Sequence, residues 1–486
     1  MPGILIENVT VVTLDPRKPH LNGHQILIED GAIAAVAKRV RADGVVRRID
    51  GSGMIAIPGL VNAHAHLTEI LQRSFRDNLP MELWRGERAR TEERARLGAE
   101  EIAAAAELAC AEMLKSGVTA VVDHFSTRPG LSVSKMQAIL SAFERTGIRG
   151  MLVPSLRDRD FVRLAASGVR HRRRMGEPGR PEPWQDEVRE VIAHLHARSL
   201  SGVMLGPSSP LNCSDRLLRE VIAVAERLDL GIHTHLLETR LQAWAAARLY
   251  PRTLCAHLAK LGFLSARLSA AHGVWLTDRE IDLLAASGTS VVHNPASNLK
   301  LGSGIAPVAR LKSRGVNVAL GTDGGDTSDT YSIFEQVKLC AYVSRVASTD
   351  PDHWITADDA LRMATVNGAD AVPAWRGRIG RIKPGYRADV VLLKPGLRLR
   401  PLTDPVRQLV FSAGGDAVHT VLVDGNIVVE AGRLTGVDEH ALARRVEPIG
   451  ARMYRLYRRG RRQADPSEQT AALLYRRLNR NDALRR

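Results

Sequence analysis

"PGLVNAHAHL", residues 58–67, puts a Pro-Gly turn before an apolar run and ends that run in two histidines, His64 and His66. Side chains two apart in a strand share a face. If the run is a strand, both imidazoles leave its C-terminal end on the same side, and one ion can sit between them. Two more such pairs exist, His194/His196 and His233/His235. The first lies in "DEVREVIAHLHARSL", a helical pattern, where residues two apart diverge by about 200°; it is assigned to structure or surface. The second closes "GIHTH", a strand-like run, and passes the test.

The same plan recurs outward from residue 60. Strands are expected at 60–66, 119–125, 150–155, 203–207, 231–235, 268–272, 290–293 and 317–321. They alternate with helical stretches such as "EEIAAAAELACAEMLKSG". Eight strands interleaved with helices predict an α/β protein, a (β/α)8 barrel, with chemistry at the C-terminal strand ends. A doubly wound sheet is the fallback, but no G-x-G-x-x-G opens a helix.

The first 60 residues are different. "ILIENVTVVTLD" and "QILIEDGAIAAVA" are short period-two runs with turns between them. The texture returns in "HTVLVDGNIVVEAGRL". The expected organisation is a composite β-sandwich from 1–60 and 378–436, a barrel over 61–377, and a basic helical extension over 437–486. That extension carries no His or acidic cluster at a strand end, so it is expected to be dispensable for the chemical step.

Composition bounds the function. Apolar residues make up 44% and charged residues 25%, ordinary for a globular protein. No apolar run is long enough to span a membrane, and the N-terminus lacks the pattern of a signal peptide. Four scattered cysteines without a C-x-x-C suit a reducing cytoplasm. Net charge is +15, and arginine supplies 58 of the 68 basic residues. No nucleic-acid-binding motif accompanies that charge, so it is assigned to a solvated surface and nucleic acid is not expected as a partner.

The strand ends carry the chemistry. His272 closes the sixth strand, and "LGTDGG" closes the eighth with Asp323. A lone strand-end histidine is commonly a satisfied core residue. Here His or Asp closes four of eight strands, at the end where this fold does chemistry. Imidazoles plus one carboxylate suit a zinc or iron ion with a position left for water.

With those residues in view, the chain resembles the amidohydrolase superfamily, in its deaminase and chlorohydrolase branch (cytosine, guanine and S-adenosylhomocysteine deaminases, triazine hydrolases). The matching stretches are "PGLVNAHAHL" (58–67), "HTHLLET" (233–239), "AAHGV" (270–274), "VVHNPASNLKLGSGIAPV" (291–308), "LGTDG" (320–324) and "GRIKPGYRADVVLL" (380–393). The resemblance implies a distorted (β/α)8 barrel with a composite β-sandwich. It implies His64, His66, His235 and Asp323 as metal ligands, His233 behind them, and His272 as a catalytic group near the water. Binuclear members bridge two metals with a carboxylated lysine from the fourth strand. "GVMLGPSSP" has no Lys, Glu or Cys to bridge, so one divalent metal per chain is expected, zinc, with iron as the alternative.

A bound divalent ion lowers the pKa of water to about 7. Asp323 and His272 are placed to take and orient its proton. An amino-bearing ring carbon is a poor electrophile until the neighbouring ring nitrogen is protonated, and Glu238 is the acid for that step. The expected activity is hydrolytic deamination of an amino-substituted N-heterocycle (purine, pyrimidine, pterin or triazine) with release of ammonia. The alternatives are displacement of chloride or alkylamine from a triazine-like ring, and cyclic amide hydrolysis. Candidate substrate contacts are Glu69, Gln72, Arg73, Trp84, Arg157 and Asn294, with Arg159 and Asn298 as further candidates. A small-molecule substrate and a homo-oligomer, dimer or tetramer, complete the expectation.

Overall fold

The computed structural model describes residues 3–15, 17–42, 44–126, 131–167, 184–195, 200–460 and 466–483. The strand that carries His64 and His66 runs Leu60–His66 and is buried along nearly its whole length, as expected of a parallel strand covered by helices on its faces. It pairs in parallel with Val118–Phe125, which pairs with Arg149–Leu156. Arg149–Leu156 takes the short pieces Ser201–Val203 and Gly206–Pro207 on its far edge. Ile232–Leu236, Leu268–His272, Ser290–His293 and Val318–Leu320 form a second parallel sheet in that order.

The two sheets touch at both edges, at places where one strand changes partner. Met204 N–H donates to Leu152, but Leu205 N–H donates to Gly231, each at 2.9 Å. This is why the fourth strand, expected as one run over 203–207, appears as two. The eighth strand switches in the same way. Gly321 N–H donates to His293 at 3.0 Å and Thr322 N–H to His64 at 3.1 Å. Asp323–Gly324 then pairs with Ala65 and His66. A Cβ at Gly321 would stand 2.5 Å from Asn294 Oδ1 and 2.8 Å from the His64 carbonyl oxygen. Glycine there lets the chain pass close enough to bring Asp323 to the histidines.

Strands from both chain ends share one hydrogen-bonded sheet of nine strands. Ile55–Pro58 joins the ends, lying between Gly3–Val12 and Val390–Leu393. Ile6, Ile26, Ile33, Val390 and Leu422 pack into one cluster on it, so the sheet curls round a core of its own. Arg149 ties it to the parallel strands, donating to both carboxylate oxygens of Asp389 at 3.0 Å and to Asp424 at 2.9 Å. Such a fork-to-carboxylate pair fixes orientation as well as charge.

Helix Ala99–Lys115 buries Ala103 to Ala106, Ala109 and Cys110; small side chains let neighbouring helices approach it closely. After the last strand come two helices, Glu439–Gly460 and Pro466–Ala483. Leu442, Val446, Ile449, Met453 and Tyr457 form the buried stripe of the first, at the spacing of one helix face. Both helices pack on helix Met81–Ala95, and the second also meets Phe161–Ala166. All four cysteines are buried and free. Among the described residues no helix is long and apolar enough to cross a membrane.

Candidate metal centre

The C-terminal strand ends bring His64, His66, His235 and Asp323 together. His66 Nε2 lies 3.2 Å from His235 Nε2. Asp323 Oδ1 lies 3.4 Å from His64 Nε2 and 3.3 Å from His66 Nε2. A tetrahedral ion with bonds of about 2.0–2.1 Å separates its donors by about 3.3 Å. These three spacings match three of the six edges of a zinc-sized tetrahedron, and the ligand atoms that lie within 4.8 Å of one another among the described residues fall into two overlapping triads, His64/His66/His235 and His64/His272/Asp323. His64 Nε2 is buried and has no hydrogen-bond partner among the described residues, as expected of an atom that faces an ion.

Each imidazole is held from behind by its other nitrogen. His66 Nδ1 donates to the His124 carbonyl at 2.6 Å, and His235 Nδ1 donates to the Ser208 carbonyl at 2.5 Å. His64 Nδ1 meets His233 Nε2 at 2.7 Å, and His233 Nδ1 meets Ser269 Oγ at 2.7 Å. Outer partners of this kind fix the tautomer and leave Nε2 free to ligate. Burial holds His233 and His235 well below the usual imidazole range and brings His64 down to about 4 despite the nearby Asp323. Neutral imidazole is the form that binds a metal. His66 differs: burial pulls it down, but the Glu69 and Asp323 carboxylates outweigh burial and raise it.

His272 and Glu238 stand beside this cluster. His272 Nδ1 donates to Asn298 Oδ1 at 2.9 Å, and its Nε2 lies 3.9 Å from Glu238 Oε2. Burial pushes the Glu238 carboxyl up to about 7; the nearby His272 works against that shift, and Asp323 and Glu82 add to it. His272 and Asp323 have φ of +73° and +66°, and Leu237 +44°. Left-handed backbone at non-glycine residues is strained and collects at functional sites. Ser297 Oγ donates to the second Asp323 oxygen at 2.6 Å.

A cavity of about 190 Å³ opens over the cluster, lined by His66, His235, Glu238 and Asp323 among others. Of the expected substrate contacts, Glu69, Trp84 and Arg157 line it. Gln72 and Arg73 do not. The 3-10 turn Leu67–Gln72 rotates them away, Gln72 inward to Arg76 and Arg73 to Glu112. Asn294, also expected at the substrate, is buried against His272, with Nδ2 3.4 Å from the ring. Arg159 belongs to a neighbouring cavity of about 330 Å³, which shares Arg85 and Arg157 with the first. His194 is exposed and caps its own helix through Glu190; His196, and residues 168–183 of the basic loop, lie outside the described residues.

Among the cavity residues that were not anticipated are His124 and Arg88. His124 is buried with its ring 4.6 Å from that of His235. It is a single histidine inside "VVDHFS", with no partner two residues away to mark it. Arg88 pairs with Glu69 and lies over the Trp84 ring. Nothing in the sequence separates it from the other arginines of its helix.

Parallel strands ending in a His-Asp cluster are the plan of a metal-dependent hydrolase. A sequence model of the Amidohydrolase family matches residues 55–428, and the chain belongs to that family of hydrolases, which act on carbon–nitrogen bonds. The 5'-deoxyadenosine deaminase of Methanothermobacter thermautotrophicus is 36% identical over 431 residues, 88% of this chain and 94% of that one. The 5-methylthioadenosine/S-adenosylhomocysteine deaminase of Caldanaerobacter subterraneus subsp. tengcongensis is 32% identical over 448 residues, 92% and 97% of the two chains. Among solved structures, a zinc-bound adenosine deaminase from Xanthomonas campestris is 29% identical. It superposes with a TM-score of 0.82 over 93% of this chain and 98% of that one. The atrazine chlorohydrolase of Arthrobacter aurescens complexed with zinc is 28% identical, with a TM-score of 0.83 over 92% and 100%.

Proposed function

We propose that the chain is a mononuclear zinc deaminase of an adenosine-type nucleoside. It replaces the amino group of the purine ring with oxygen and releases ammonia. The two joined sheets then form one distorted (β/α)8 barrel, and the nine-stranded sheet is its composite companion. The observation that carries the reading is Glu238, a buried carboxyl at the cavity, three residues beyond His235 and with its pKa pushed up to about 7. An amino-bearing heteroaromatic carbon becomes electrophilic once the adjacent ring nitrogen is protonated, and Glu238 is the buried acid at hand for that step.

His64, His66, His235 and Asp323 would hold the ion. When bound, a divalent metal there lowers the pKa of water and polarises the nucleophile. Glu238 delivers a proton to the ring nitrogen beside the amino-bearing carbon, which makes that carbon electrophilic. Asp323 and His272 accept and orient the proton that leaves the water as the new carbon–oxygen bond forms. The proton taken up by Asp323 passes to the amino group, ammonia leaves with the electron pair of the broken carbon–nitrogen bond, and the remaining hydroxyl proton returns to the Glu238 carboxylate as the ring carbonyl forms. Trp84, with Arg88 over one face, gives the purine a flat wall.

The test is ammonia release and the adenine-to-hypoxanthine absorbance change for the nucleosides, with chloride release followed for atrazine. Its substrates are adenosine, 5'-deoxyadenosine, 5'-methylthioadenosine, S-adenosylhomocysteine and atrazine. Turnover of the nucleosides is expected. Turnover of atrazine alone, with no nucleoside deaminated, would overturn the reading in favour of the chlorohydrolase chemistry of its structural neighbour.

Two further results are expected. The fourth-strand segment 201–209 offers no Lys, Glu or Cys to bridge a second ion. Elemental analysis of active protein should therefore give one zinc per chain; a reproducible requirement for two equivalents would contradict this. The second concerns pH. A general acid must carry its proton before reaction, so kcat/KM should fall as pH rises through about 7, by about tenfold per unit. A profile flat from pH 6 to 9 would remove Glu238 from that role.

A further inference from the structure

We propose that Tyr475, in the C-terminal extension, is a positioning residue for Glu238. The inference rests on the reading of Glu238 as general acid. It starts from the contact between helices Pro466–Ala483 and Met81–Ala95. A Cβ at Gly86 would overlap the Glu468 carboxylate, which pairs with Arg90. The Glu468 side chain fills the space that a side chain at 86 would take. Ser467 Oγ donates to Asp160 Oδ2 at 3.0 Å, and Ala471, Leu474 and Leu478 are buried. The extension is packed in place over the pocket helix.

Glu82 stands at the start of that pocket helix and is buried. Its Oε2 accepts from the Tyr475 hydroxyl at 2.6 Å, and its Oε1 accepts from Thr239 Oγ1 at 2.5 Å. Thr239 follows Glu238 directly. It caps helix Arg240–Leu249, accepting from the Gln242 N–H at 3.1 Å. Gln242 Oε1 in turn accepts the Glu238 N–H at 2.8 Å. An unbroken run of hydrogen bonds thus leads from the extension to the backbone of the proposed acid. A buried carboxylate oxygen that loses its donor is costly. Without the Tyr475 hydroxyl, Glu82 has reason to turn, and Thr239 and the segment behind it are released. The family match ends at residue 428, so this support is added by a part of the chain outside it. It also runs against the expectation from sequence that the extension is dispensable for the chemical step.

The test is Tyr475→Phe in the full chain, with Tyr454→Phe as the control. Tyr454 is on the same extension and 44% exposed. In Tyr475→Phe, kcat should fall about tenfold, part of the roughly 10²–10⁴-fold that a general acid supplies. KM, bound zinc and Tm should stay close to wild type. Amide hydrogens over 236–243 should exchange faster in this variant and not in the control. Unchanged exchange over 236–243 overturns the inference whatever kcat does, and so does kcat within twofold of wild type. Faster exchange throughout the chain with a lowered Tm overturns it too, because the residue is then merely structural. Exchange needs no turnover. If no nucleoside is deaminated, the proposed function falls, and local exchange alone decides whether Tyr475 holds this segment.

Discussion

Glu238→Gln is expected to lower kcat by roughly 10²–10⁴-fold, the usual contribution of a general acid, with fold and metal retained. Gln has nearly the same shape and keeps the backbone N–H that Gln242 accepts. Burial penalises the carboxylate at this position and raises its pKa to about 7, so a neutral amide is not a foreign group there. What disappears is the exchangeable proton. The loss should fall on kcat and kcat/KM together, because proton delivery to the ring nitrogen belongs to the transition state rather than to binding. The high-pH fall in kcat/KM should disappear with it. Near-normal kcat in a zinc-loaded Glu238→Gln protein would place the acid elsewhere and move the reading toward metal-assisted hydrolysis without ring protonation.

The strand ends were legible because two periodicities coincide there. His64 and His66 sit two apart in a strand, and so do His233 and His235, so each pair had to share a face. Which member of the second pair faces the cluster depends on tertiary contact: His233 leans on His64 and Ser269, while His235 reaches His66. The parallel architecture was legible for a similar reason, since buried apolar runs between helices have few alternatives. The partner changes at Met204/Leu205 and Gly321/Thr322 were not, because an apolar run does not say which neighbour its N–H groups will meet. Gln72 and Arg73 lie off the cavity because a 3-10 turn sends successive side chains about 120° apart, and no spacing in the sequence announces that turn. The seat of the extension could not be read at all. Its contacts join residues hundreds of positions apart, as Tyr475 to Glu82, and its arginine content resembles a solvated surface.

His235→Ala should behave differently from Glu238→Gln, although the two positions are three residues apart. It removes a proposed ligand, so zinc content and activity should fall together to the level of chelator-treated wild type. The stability consequence follows from linkage. An ion that binds only the folded chain stabilises it by RT ln(1 + [L]/Kd), about 4 kcal/mol at a thousandfold excess over Kd. Wild type should therefore melt higher with zinc than after chelation, and the gap should widen with added metal. His235→Ala should lose most of that dependence, because His64, His66 and Asp323 remain but one corner of the proposed tetrahedron is gone. It should not melt far below chelated wild type. The imidazole is half-buried and uncharged, so its loss leaves a small cavity and no stranded charge, and the Ser208 carbonyl keeps the backbone N–H of residue 235 at 3.3 Å. Measuring zinc, kcat and Tm in both variants separates the two roles. If His235→Ala keeps its zinc and its zinc-dependent Tm while Glu238→Gln loses both, the fifth-strand assignments are reversed, with Glu238 the ligand and His235 beside it.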